Sequence, residues 1–176
     1  FQRFGEPLWA PAIPPQSKGN FTDFFLMEEL AGMGGMKPPQ IKVLEQADID
    51  LAVSQFAQAA RRAKEAGFDG VEIHAGHGYL LSSFISPYGN TRTDNYGGSR
   101  ENRMRLAVEV IEAIRREVGR DYPVWIKLDS RELGKDGGIT IEDAMEHARI
   151  AEAAGADAIV ATCAHNPAIA RLHSES

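Results

Sequence analysis

Two stretches of the chain repeat one another. AKEAGFDGV at 63–71 and AEAAGADAI at 151–159 share one plan: an alanine-rich helix end, a glycine, an aspartate, then an apolar strand start. A glycine in that place closes a helix by taking the left-handed conformation that other residues avoid. A third helix end, at Gly119, lies between the two and is followed by another apolar run. The order is therefore α-β-α-β-α-β, which calls for a parallel sheet. Repeats at this spacing suit a β/α barrel. A complete barrel takes roughly 250 residues, and only three strands are clear in these 176 residues. The expected fold is thus α/β, a partial (β/α)8 barrel. A doubly wound sheet competes, but it would place a GxGxxG fingerprint directly after a strand, and the sequence contains none.

Periodicity sets the element boundaries. Asp48 to Ala66 reads as a helix with Leu51, Phe56, Ala59, Ala60 and Ala63 on its apolar side, and Gly67 ends it. Phe68 to His74 is a strand, followed by a loop to Gly98. Ser99 caps a helix to about Val118, with Met104, Ala107, Val108, Ile111 and Ile114 at helical spacing. Pro123 to Asp129 is a strand, Lys135 to Gly138 a turn, Thr140 to Ala154 a helix and Asp157 to Thr162 a strand. Residues 1–47 read as an irregular segment rich in proline and glycine, with a short helix from Phe24 towards Gly32. A loop this long is usually functional, a lid for example, or disordered. Residues 163–176 form a tail.

Charge and cysteine content narrow the function classes. The formal charge is -6 and no basic stripe with interleaved aromatics occurs, so nucleic acid is not an expected partner. The single cysteine, Cys163, leaves no disulfide framework and fits a reducing, cytoplasmic setting. Cys163 itself is expected to be a small buried residue rather than a nucleophile. No apolar run approaches the roughly 20 residues of a membrane span. The chain begins at Phe1, which suggests a piece of something longer.

The chemistry gathers at the end of the first strand. His74, His77 and Tyr79 come where that strand should stop, with Gly76 and Gly78 to bend the backbone between them. Strand ends of this kind carry the active sites of barrel enzymes. The two imidazoles can hydrogen-bond a substrate oxygen that gains negative charge. They can also ligate a metal with Asp129 or His165, or be ordinary polar loop residues. Tyr79, with a reference pKa of about 10, suits a general acid, or else is a packed ring with a satisfied hydroxyl. Lys127 sits inside an apolar strand beside Trp125, where a charge needs a partner. That partner is an anionic ligand, or Asp129 or Glu72. The polar run from Arg92 to Arg103 reads as turn, cap and bracing for the site loop, and His147 as part of a solvated helix face. His165 and His173 carry no clear signal.

HAGHGYL (74–80), SPYGNTRTDNYGGSRENR (86–103) and REVG (116–119) closely resemble the Old Yellow Enzyme family of FMN-dependent NAD(P)H:flavin oxidoreductases and ene-reductases. The resemblance covers roughly Asp48 to Thr162, and residues 1–47 resemble only loosely the loop after the family's third strand. It implies an eight-stranded β/α barrel with FMN at its C-terminal mouth, of which this chain holds about three central β/α units. It also implies site roles. His74 and His77 bind the carbonyl or phenolate oxygen of a ligand stacked on the flavin. Tyr79 gives a proton to the α-carbon while hydride from flavin reaches the β-carbon. Lys127 stands beside the flavin where relatives often carry arginine, and its ammonium cannot make arginine's two-pronged contact. The cofactors implied are FMN with NADH or NADPH as donor, and the substrate is a small enone-type molecule. No metal is expected on this reading. Strands that grip FMN in the family fall outside this sequence, so poor or no flavin binding by the chain alone is expected. Open sheet edges invite pairing with another chain, such as a homo-oligomer. The rival readings are a metal-dependent barrel lyase or hydrolase using His74 and His77, and an inert half-barrel.

Overall fold

The computed structural model describes residues 7–13 and 40–165, with the side chains of 164 and 165 excepted. The short helix expected near Phe24 to Gly32, and His173, lie outside the described residues.

Among the described residues five strands and four helices follow in chain order: β1 (Leu8–Ala10), β2 (Ile41–Val43), α1 (Gln46–Glu65), β3 (Val71–Ala75), α2 (Leu80–Ile85), α3 (Arg100–Val118), β4 (Val124–Leu133), α4 (Ile141–Ala154) and β5 (Ala158–His165). β3, β4 and β5 form a parallel sheet in that order, with Ile73 opposite Ile126 and Ile126 opposite Ile159. β1 and β2 pair in parallel as a separate ribbon. Both ribbon strands fall inside the segment expected to be irregular; at three residues each they are too short for a periodic signal.

The repeated unit folds twice in the same way. At the end of α1 the Phe68 N–H reaches the Ala63 carbonyl and the Gly67 N–H reaches that of Lys64. At the end of α4 the Ala156 N–H reaches Ala151 and the Gly155 N–H reaches Glu152. This paired closure needs a left-handed residue, and Gly67 and Gly155 supply it at φ 86° and 111°. Helix starts are set by side chains. Ser99 accepts the Asn102 N–H at 3.2 Å. Thr140 and Asp143 form a reciprocal capping box. Glu45 and Asp48 form another, so α1 begins at Gln46 and Asp48 is its third residue rather than its start.

The core lies between the sheet and the helices. Ile73, Val124, Ile126 and Leu128 on the helix side meet Met104, Ala107, Val110, Ile111 and Ile114 of α3, all buried. The sequence places β4 only as far as Asp129. The strand instead continues through an irregularity at Asp129 to Glu132 and pairs on to Leu133. The buried Glu132 carboxylate anchors that extension, accepting from Ser86 Oγ (2.6 Å), Lys135 Nζ (2.6 Å) and the Ile139 N–H (3.1 Å). α2 sits in what reads as loop; six residues with no side-chain cap give little signal, yet Leu81, Phe84 and Ile85 are buried.

Two further expectations fail. His147 is 0% exposed, not solvated, because α4 turns that position onto the core side. Cys163 is exposed, not buried; it lies on the edge strand β5, and its thiol donates to the Arg131 carbonyl at 3.5 Å. Among the described residues no helix is long and apolar enough to cross a membrane.

Candidate active site

β3 ends at Ala75 and delivers its cluster at once. The His74 and His77 rings lie 5.3 Å apart between centroids, and His74 and Tyr79 5.1 Å. The structure thus brings together the three residues expected to act jointly. His74 points to the sheet face away from the helices, opposite Lys127 on β4. Its Nδ1 is buried with no hydrogen-bond partner. Burial, with His77 and Lys127 acting in the same direction, lowers its pKa below the usual 6.5. A neutral imidazole follows at pH 7, able to donate one hydrogen bond without carrying a charge.

His77 takes φ 60°, a left-handed backbone unusual for a side chain with a Cβ and costing about 1–2 kcal/mol. The turn is held from β4. Both Asp129 oxygens accept the His77 N–H, at 3.1 and 3.0 Å, and Ser82 Oγ donates to Oδ2 at 2.8 Å. The His77 ring turns to β5, with Nε2 2.7 Å from Thr162 Oγ1. Gly76 sits in a tight approach: a Cβ there would lie 3.0 Å from Thr162 Cγ2 and 3.2 Å from Asp129 Oδ1, so both side chains would have to give way slightly.

Tyr79 occupies the N-cap of α2 in extended backbone and leaves its side chain out of the cap. The residue is 63% exposed, so the packed-ring alternative does not hold. A mainly apolar cavity of about 740 Å³ adjoins His74 and Tyr79, lined also by Trp9, Phe56, Leu80 and Leu81.

Lys127 finds Glu72, one of its two alternative protein partners, at 2.9 Å. Trp125 Nε1 donates to the same carboxylate at 3.0 Å. The Lys127 hydrogen bond is the largest of the effects that lower the Glu72 pKa. Both side chains of the ion pair remain about 30% open (29% and 31%), so the lysine can meet a second anion. Asp129 pairs with neither Lys127 nor a metal set: among the described residues no group of three His, Cys, Asp or Glu is placed to hold a metal ion.

The Arg92 to Arg103 run braces the loop, as its composition suggests. Arg92 NH1 donates to the carbonyls of Pro11 (3.0 Å) and Leu44 (2.7 Å), tying the first ribbon to the loop. Asn90 Nδ2 donates to Phe84 and Tyr96 carbonyls, and Arg103 Nε to that of Ile85. Sequence reasoning missed Ser82, Thr162 and the part played by Asp129. For Asp129 a signal existed: it shares its strand parity with Trp125 and Lys127 and so belongs to the site face.

A parallel β/α array with His74, His77 and Tyr79 gathered at the C-terminal end of β3 has the layout of a β/α-barrel segment. The chain belongs to the NADH:flavin oxidoreductase / NADH oxidase family, whose pattern matches residues 23–173. It is 43% identical over 121 residues to an NADPH dehydrogenase of Geobacillus thermodenitrificans, covering 69% of this chain and 35% of that protein. It is 42% identical over 121 residues to an NADH oxidase of Thermoanaerobacter brockii, covering 69% and 18%. Among solved structures it resembles morphinone reductase in complex with tetrahydroNAD (33% identity, TM-score 0.68, 91% of this chain and 44% of that one). It also resembles the Old Yellow Enzyme homologue of Zymomonas mobilis (27% identity, TM-score 0.68, 89% and 42%). The three-stranded sheet and its helices are therefore part of a (β/α)8 barrel. The chain spans less than half the length of each of these relatives.

Proposed function

We propose that this chain supplies the oxygen-binding and proton-donating part of an FMN-dependent ene-reductase site, with a small enone-type molecule as substrate. The observation that carries the reading is the convergence of a neutral His74, His77 and an exposed Tyr79 at one strand end. The donor set suits a flavin and a carbonyl ligand. The unpartnered buried Nδ1 of His74 is a hydrogen-bonding group in want of a ligand, and Lys127 offers a cation on the same face. FMN, when bound, supplies hydride exchange between NADH or NADPH and an activated C=C bond. His74 and His77 hold the carbonyl oxygen and stabilise the charge it gains. Tyr79 Oη delivers a proton to the α-carbon from the solvent-open side. Lys127 would offer its cation to the bound flavin, with Glu72, 2.9 Å from its ammonium, offsetting part of that charge. The metal-dependent lyase or hydrolase reading finds no support in the family relationship.

The proposed setting is cytoplasmic, where the exposed Cys163 thiol stays reduced. Among the described residues β3 and β5 are the outer strands of the sheet. In the barrel to which they belong further strands would pair with those edges, and where those strands are missing the proposed protein partner is a second copy of the chain.

A flavin titration followed by fluorescence quenching, then NADH or NADPH turnover with cyclohexenone, tests the reading. Saturable binding of one FMN per chain or per assembled dimer, with turnover, is expected if the chain rebuilds the site. Absence of binding at high FMN would sink the claim that this chain acts as a reductase.

A further inference from the structure

We infer that Asp129 is a positioning residue for ligand-oxygen binding: its carboxylate, locked to Ser82, holds the His77 turn from the neighbouring strand. The inference rests on the proposed role of His77. Asp129 is 2% exposed and stands at the C-terminal part of β4. Both of its oxygens accept the His77 N–H, at 3.1 and 3.0 Å. Ser82 Oγ donates to Oδ2 at 2.8 Å and in turn accepts the Gly78 N–H at 3.1 Å. One buried carboxylate–hydroxyl pair therefore captures two consecutive backbone N–H groups of the loop.

That capture coincides with the only left-handed non-glycine residue among those described, His77 at φ 60°. An isolated peptide would relax from this conformation. Charge-assisted hydrogen bonds to a buried anion are strong enough to hold it. With the turn held, the ring reaches Thr162 Oγ1 at 2.7 Å and packs 5.3 Å from His74. Lys127, a possible cation partner for Asp129, is engaged elsewhere, its Nζ lying 2.9 Å from Glu72. Asp129 thus acts through His77, and the position of one histidine donor is set from β4 rather than from its own strand.

The test compares the isotope-labelled chain with Asp129→Asn, Asp129→Ala and Ser82→Ala by NMR. In the parent chain the His77 amide is expected to be protected from exchange. Its ring should show NOEs to the His74 ring and the Thr162 methyl. Asp129→Ala is expected to abolish both signatures and Ser82→Ala to weaken them. Asp129→Asn keeps one acceptor oxygen in the same volume and should retain them in part. Unchanged His77 signals in a folded Asp129→Ala chain would overturn the inference. Shifts spread over the whole sheet would also overturn it, since Asp129 would then be a general structural residue. Should the alanine variant fail to fold, unchanged His77 signals in both Asp129→Asn and Ser82→Ala would do the same. In FMN-loaded protein, phenol affinity and KM for the enone should worsen roughly 10- to 100-fold in Asp129→Ala, with kcat much less affected because Tyr79 is untouched. A parent chain that takes up neither FMN nor phenol counts against its acting alone as a reductase and leaves the NMR comparison to decide on Asp129.

Discussion

On its helix side the central sheet presents Ile73, Val124, Ile126 and Leu128, none more than 3% exposed. On the other side the same strands present Glu72, His74, Trp125 and Lys127, all partly or fully open. One backbone serves both faces, since side chains alternate along a strand. The helix face is held by apolar burial that many neighbours share. The open face is held by a few directed contacts: Lys127 and Trp125 on Glu72, and the His77 N–H on Asp129. Stability is concentrated on one face and the proposed chemistry on the other, so substitutions on the two faces should fail in different assays.

The largest expected effect comes from the chemical face. Tyr79→Phe should lower turnover of the FMN-loaded protein by about 10²- to 10⁴-fold. Its unfolding midpoint should stay at the parent value, because the residue is 63% exposed and its side chain takes no part in the α2 cap. A large drop in stability would break the division between faces. The converse variant is Ile126→Ala, at 0% exposure, expected to cost about 2–5 kcal/mol in denaturant unfolding. Trp125→Ala, one residue away on the open face, loses its bond to Glu72 and should cost nearer 1 kcal/mol. Comparable losses from the two would show that the open face is packed against something in solution, such as a second chain.

The helix face was almost fully legible in the sequence, and the open face only in part. Val124, Ile126 and Leu128 announce their side by alternation, and Gly67 and Gly155 announce their helix ends by chemistry that leaves few alternatives. His74, His77 and Tyr79 were legible because polar residues and glycines cluster where a strand must stop. The brace beneath them was not. Asp129 lies 52 residues from His77 and Ser82 falls in a helix too short to register, so their meeting depends on sheet register. His147 was misread for a related reason: a histidine breaks the apolar pattern of its helix, but α4 packs against α3 and β4, and the ring is enclosed.

That enclosed histidine gives the helix face its own test. Burial lowers the His147 pKa to about 4 from 6.5, with Asp143 opposing and Arg103 and Arg100 assisting. The folded chain therefore keeps the ring neutral through a range in which the unfolded chain protonates it. Stability should fall as pH drops from 6.5 towards 4, by up to about 3 kcal/mol. Unfolding measured against pH should show a steeper slope in the parent than in His147→Leu, the remaining slope coming from His74, whose pKa is lowered in the same sense. An equal slope in both would place the proton elsewhere. Carboxylates held below their ordinary range, such as Asp143 and Asp157, lose their contribution only at lower pH, so the difference between the parent and His147→Leu in the upper part of the window reports His147.

The smallest expected effect sharpens the comparison most. Glu72 and Lys127 form the clearest charge contact on the open face, at 2.9 Å with 31% and 29% of their side chains exposed. Ion pairs this open couple by about 0–1 kcal/mol and weaken with salt. A double-mutant cycle with Glu72→Gln and Lys127→Met, read by urea unfolding at low and high salt, should give a coupling within that range that shrinks as salt rises. A coupling of several kcal/mol, insensitive to salt, would mean that the pair is desolvated in solution. The open face would then be covered, and its residues would owe their geometry to whatever covers them rather than to the sheet alone.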